Sequence, residues 1–110
     1  MDWFIAKNVF QITSGDGFHR PQFEEQMVLI NAANSEEAFQ KSLDLGNKAE
    51  EQFVNEVGEL VIWKFINTAQ VHAVGELTDG KLLCVRTEEP DSAEVYINWV
   101  NESGKISVEF

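Results

Sequence analysis

This sequence is poor in positive charge. Its 110 residues hold eight Lys and Arg against nineteen Asp and Glu, a formal net charge of -11. Phosphate contacts need clustered Lys and Arg, so the composition excludes a generic nucleic-acid binder and docking on an anionic membrane. There is one cysteine, Cys84, so no intramolecular disulfide can form. It sits in the apolar run Leu82-Leu83-Cys84-Val85 and is expected to be a buried small hydrophobe. The two histidines, His19 and His72, stand far apart with no partner at zinc-ligand spacing, so no metal is expected, and no cofactor either. Gly15-Asp16-Gly17 lacks the Gly-Lys-Ser/Thr ending of a phosphate loop, and there is no Asp-x-Asp-x-Asp-Gly calcium loop. No apolar run approaches the ~18 residues of a membrane helix. The start, Met1-Asp2-Trp3-Phe4-Ile5, has neither a basic segment nor a long apolar stretch, so no secretory signal is read and a cytoplasmic location is expected.

What remains is a folding composition: 44% hydrophobic and 11% aromatic residues, including three Trp and eight Phe. Disordered acidic chains are poor in aromatics, so a single folded domain over residues 1–110 is expected. The negative charge is spread, with nine acids and four bases in residues 1–55 and ten and four in the remainder.

The pattern of residues predicts the elements. Residues 3–13 alternate and are rich in Phe, Ile and Val, a strand; Ser14 to Gly17 is a turn cluster, and Pro21 closes the loop. Residues 22–32 form a second strand, apolar on both faces and so expected to be central or covered. Asn34 and Glu37 stand in capping-box spacing before a helix with an apolar stripe of Ala38, Phe39, Ser42, Leu43 and Leu45, ended by Gly46. Residues 53–57 and 60–65 flank the turn Gly58-Glu59 as two strands, the second continuing weakly to residue 74. Residues 81–87 read as a further strand. Asp91 and Glu94 repeat the capping spacing before a second helix with Ala93, Tyr96, Ile97 and Val100 on one side, stopped by Ser103-Gly104; residues 105–110 alternate as a final strand. The fold class expected is α+β: a mostly antiparallel sheet of about five strands with two helices packed on one face.

Four blocks in order, Trp3-Phe4-Ile5-Ala6-Lys7, Gln22-Phe23-Glu24-Glu25-Gln26, Ala38 to Leu45-Gly46, and Gly58-x-x-Val61-x-Trp63-Lys64-Phe65-Ile66-Asn67, resemble the bacterial domain-of-unknown-function 4288 family. The resemblance covers roughly residues 1–75. It implies a small cytoplasmic bacterial domain of about this length and brings no activity, cofactor or catalytic residue.

Three features suggest function. The loop between the first two strands carries His19 and Arg20; with Glu25 these form a candidate ligand site for the 15–25 region, against which a solvated hairpin loop is the simpler account. Adjacent acids such as Glu24 and Glu25 point to opposite faces of a strand, so they do not converge. If Phe23 faces a core, Glu25 shares that face and needs a partner, which Lys7 or Lys64 could supply. Finally, Trp3, Trp63, Phe65 and Trp99 are candidates for an interaction surface on the sheet face that helices leave open. Together these favour a non-enzymatic protein–protein interaction module, antidote- or immunity-like, that engages a basic partner and forms a homodimer through its open sheet face or terminal strand. The alternatives are a small-ligand or enzymatic role at the 15–25 loop and a nucleic-acid mimic.

Overall fold

The computed structural model describes residues 1–109, with side chains through Lys105. Two long strands, β1 (Asp2–Ser14) and β2 (Gln22–Ala32), form a hairpin paired without interruption from Asp2↔Ala32 to Ile12↔Gln22. A helix, α1 (Ser35–Lys48), follows, then a short strand β3 (Glu51–Val54) and a 16-residue strand β4 (Leu60–Gly75). The strands lie in the order β2-β1-β4-β3, every pair antiparallel. Against β1, β4 shifts register at three places, between Trp3 and Phe4, Lys7 and Asn8, and Val9 and Phe10. Such irregularities increase local twist, and the sheet curls over α1.

The helix is anchored as its capping residues anticipate. Asn34 accepts a hydrogen bond from the Glu37 amide at 2.8 Å, and the Glu37 carboxylate accepts one from the Ala33 amide at 3.4 Å. Its packing line differs from expectation. The buried residues are Ala38, Ser42 and Gly46, all small and one turn apart, while Leu45 is exposed and Phe39 and Leu43 flank the contact. Small side chains let the helix backbone approach the sheet closely. Gly46 therefore does not end the helix, which runs on to Lys48; it makes room for the ring of Phe65. The core between helix and sheet is built from Phe4, Ala6, Phe10 and Ile12 of β1, Ile30 and Ala32 of β2, and Val61 and Phe65 of β4.

One polar cluster lies inside that core. Asn8, Ser42 and Thr68 come from β1, α1 and β4. Both hydroxyls donate to Asn8 Oδ1 at 2.7 Å, and Asn8 Nδ2 donates to the Ser42 carbonyl at 3.1 Å. Every buried side-chain polar atom among the described residues has a partner.

Several expectations need correction. The sheet has four strands, not five. Residues 81–92 adopt no regular secondary structure, and Leu83 offers its carbonyl to the His72 side chain (2.8 Å) instead of to a backbone ladder. Cys84, expected to be buried, is exposed there. The second helix, α2 (Ala93–Glu109), starts from Ser92, whose hydroxyl accepts from the Val95 amide at 3.3 Å, so Ser92 takes the capping role read for Asp91. It runs through Gly104 to Glu109, replacing the terminal strand predicted for residues 105–110; Phe110 lies outside the described residues. With no sheet edge beside it to supply partners, this alternating segment satisfies its backbone within a helix. Among the described residues only α1 packs on the sheet, and α2 lies against neither a strand nor α1. The radius of gyration, 17.8 Å, reflects this projection; a fully compact chain of this length would have one of ~13 Å.

Candidate functional site

The loop 15–21 is organised by its own backbone. Gly15 and Gly17 take positive φ values of 58° and 82°, which let the chain reverse where a side chain would be strained. The Gly15 amide donates to the Leu60 carbonyl at 2.8 Å and ties the loop to β4. His19 locks the turn: its Nε2 accepts from the Ser14 amide at 3.0 Å, and its Nδ1 donates to the Arg20 carbonyl at 2.7 Å. Since an amide can only donate and a carbonyl only accept, these partners assign the ring hydrogen to Nδ1. Both nitrogens are thus committed to the backbone.

A shallow depression of about 530 Å³ lies beside this loop, lined by His19, Arg20, Phe18, Asp16 and Glu59 among others. Glu25 is not among its lining residues. It pairs across the hairpin with Val9, on the sheet face opposite α1, and its carboxylate meets Lys7 Nζ at 3.5 Å. The structure therefore brings His19 and Arg20 together and leaves Glu25 apart. Of the two lysines that the sequence nominated as its partner, Lys7 supplies the charge. Both side chains are accessible, which makes this a surface ion pair worth at most ~1 kcal/mol.

The four aromatic candidates separate in the same way. Phe65 is 8% exposed and belongs to the core, a correction to its reading as surface. Its ring lies 5.4 Å from that of Phe10, and half-buried Trp63 lies 6.2 Å from Phe10 on the helix side. Trp3, also half-buried, pairs with Gly75 at one end of the sheet. Trp99 is 63% exposed on α2, where its ring stacks on Tyr96 at 6.0 Å.

The exposed apolar surface lies elsewhere. On the sheet face away from α1, edge strand β2 presents Phe23, Met27 and Leu29, each about half exposed, and β4 adds Ile62. The alternation of Phe23, Met27 and Leu29 was visible in the sequence but implied a covered strand. Instead β2 is an edge, with one side of its ladder and one of its faces open. On α2, Val95, Tyr96, Ile97, Trp99 and Val100 are all exposed. At 100° per residue they and Ala93 share a broad side of the helix with Ser103 and Gly104, while Glu94, Asn98, Asn101, Glu102 and Lys105 fill the other.

A second shallow cavity, about 550 Å³, lies where Leu82 to Val85 meet Gln70 to His72. Among the described residues no group of three or more His, Cys, Asp or Glu is placed to hold a metal ion. No helix among them is long and apolar enough to cross a membrane.

No curated protein and no solved structure matches the chain. A family match covers residues 3–96, beyond the 1–75 span over which the sequence blocks carry the resemblance, and reaches the first turn of α2. On that match, which takes in the whole sheet, α1 and the connector to α2, the chain belongs to the family described as a domain of unknown function (DUF4288).

Proposed function

We infer that this chain acts by binding other proteins in the cytoplasm, as an interaction module rather than an enzyme, and that one of its partners is basic. The observation that carries this reading is α2. A 17-residue helix with Val95, Tyr96, Ile97, Trp99 and Val100 exposed is an apolar surface of the kind that marks interaction sites. An amphipathic helix free of its own core is also a common recognition element, since it can lay its apolar side into a partner's groove.

The charge supports the second half of the reading. At -11 the chain attracts cationic surfaces at long range, which accelerates encounter with a basic target and discourages acidic ones. An antidote- or immunity-like role against a basic protein has this electrostatic form. The His19 loop supports the ligand-binding alternative less well, because both ring nitrogens already serve the turn.

The test is capture on the immobilised full-length chain from its native lysate, with mass spectrometry of what elutes. A stoichiometric partner with a basic isoelectric point is expected, released by salt and lost when Glu89 and Asp91, both exposed at the approach to α2, are changed to Lys. Failure to retain any partner at low salt, or a partner indifferent to the charge reversal, would refute the basic-partner reading.

A further inference from the structure

We propose that two copies of this chain associate by exchanging α2, each helix laying its apolar arc across the open sheet face of the other copy. The inference rests on the protein-binding reading above and names one partner, a second copy of the chain. Two surfaces carry it. The open face holds Phe23, Met27 and Leu29 on β2 and Ile62 on β4, all exposed to water. The helix holds Tyr96, Ile97, Trp99 and Val100, also exposed, and among the described residues it lies against no other element. Each surface lacks what the other provides.

Size argues for reciprocity. A 17-residue helix is ~25 Å long and ~10 Å wide, so its footprint on a sheet is ~250 Å². Counting both surfaces, one docking removes ~500 Å² from water, the scale of an incidental contact. Two symmetric dockings remove ~1,000 Å², where specific interfaces begin, and reciprocal exchange is the closed two-fold arrangement that such pairs adopt.

Charge argues in the same direction. Two chains of net charge -11 repel each other, so their contact must be locally complementary. The open face carries Lys7 and Lys64, opposite Gln70 and Gln11 in the register with β4. Lys7 is already met by Glu25 at 3.5 Å, and on the helix Glu102 is met by Lys105 at 3.5 Å, which leaves Lys64 and Glu94 as the opposite charges that docking could bring together.

The connector sets the start of the exchange. Residues 81–85 are held against β4 by the His72–Leu83 hydrogen bond, with Lys81 Nζ close to Gly75. From there the seven residues 86–92 span at most ~25 Å before the helix begins. The helix thus leaves from the β4 side of the sheet, and the apolar residues of β2 sit two strands, ~10 Å, away; that is within the connector's reach, so the experiment must separate docking on the chain's own sheet from exchange.

The experiment is sedimentation velocity on the full-length chain over a concentration series, with small-angle scattering alongside. Trp99→Ser and Leu29→Asn alter only exposed side chains and leave net charge unchanged; circular dichroism checks that both variants fold. The expected result is a concentration-dependent species of twice the 12.5 kDa chain mass, with its dissociation constant raised roughly tenfold or more in each variant, as for an aromatic or apolar anchor. Mixing the variants restores one intact helix–sheet pair, so the mixture is expected to associate more tightly than either variant alone. A wild type that stays monomeric at its highest soluble concentration would overturn the proposal. In that case, a radius of gyration of ~13 Å would place the helix on its own sheet. A dimer indifferent to Trp99→Ser, or no gain on mixing, would also overturn it. Capture of a basic partner is read by charge reversal at Glu89 and Asp91, not at Trp99 or Leu29, so failure of the exchange and failure of the basic-partner reading are told apart.

Discussion

Gly46→Ala sets two effects of opposite sign against each other in one methyl group. Gly46 lies inside α1, where alanine is the better helix former by ~1 kcal/mol. On an unencumbered helix the change would stabilise. Here the new Cβ would overlap three carbons of the Phe65 ring. That ring is confined in turn by Phe10, 5.4 Å away and tilted by 52°. Relief requires Phe65 to leave its place or α1 to lift from the sheet, dragging on Ala38 and Ser42. Overpacking of this kind costs ~3 kcal/mol, at the upper end of its usual range. The balance is a loss of about 2 kcal/mol, which corresponds to a fall in Tm of roughly 8–16 °C for a domain of this size. Gly104→Ala is the internal control: it too lies within a helix, but outside the helix's own backbone no atom of the described residues comes within 4 Å of its added Cβ. It should raise helicity with no loss of Tm. Denaturant and thermal melts of both variants, followed by circular dichroism, test the pair. The double variant Gly46→Ala, Phe65→Leu should be less destabilised than the sum of its single changes, by ~1 kcal/mol, as expected for residues in direct contact. A neutral or stabilising Gly46→Ala, or additivity in the double variant, would refute the argument that close approach to Phe65 selects this glycine.

Two further outcomes follow from the hydrogen bonds. Asn8→Ala removes the acceptor of the Ser42 and Thr68 hydroxyls and the donor to the Ser42 carbonyl; Thr68 Oγ1 can still donate to Ser42 Oγ at 3.1 Å, but the Ser42 hydroxyl loses its acceptor, so an unfolding free energy lower by about 1–3 kcal/mol in urea titration is expected, and a change under ~0.5 kcal/mol would sink that account. His19→Ala frees an exposed turn, so global stability should change by less than ~1 kcal/mol while the Ser14 amide exchanges hydrogen faster, and unchanged exchange at Ser14 would show that the ring does not latch the loop.

Much of the sheet was legible because its signals are local. Alternating apolar residues and glycine-bearing turns marked β1, β2 and the first half of β4, and the Asn34–Glu37 spacing marked the start of α1. The need of Glu25 for a lysine was read with Lys7 or Lys64 as its partner and with Phe23 facing a core; Lys7 is the partner, but Phe23 is exposed, so the pair lies at the surface. The errors arose where a local signal had two outcomes. Gly46 carries a helix-stop signature, yet the same lack of a side chain suits a close approach to a ring. Residues 81–87 have strand composition, but composition supplies no neighbouring ladder. Phe65 and Trp99 look alike as exposed-face candidates, and their opposite burial depends on which elements pack. The candidate site fared similarly: the residue types of the 15–25 loop suggested a cluster, while strand direction carried Glu25 away from it.

By itself the sequence determined the α+β class, the hairpin, the helix start and the acidic charge, because each depends on residues within a few positions of one another. The tertiary structure alone decided that β2 is an edge, that α1 packs through its smallest residues, that Asn8, Ser42 and Thr68 meet, and that the described residues of α2 stand off the sheet. These depend on contacts between residues tens of positions apart. Their energies come from shape and from water excluded between surfaces, which no local pattern encodes.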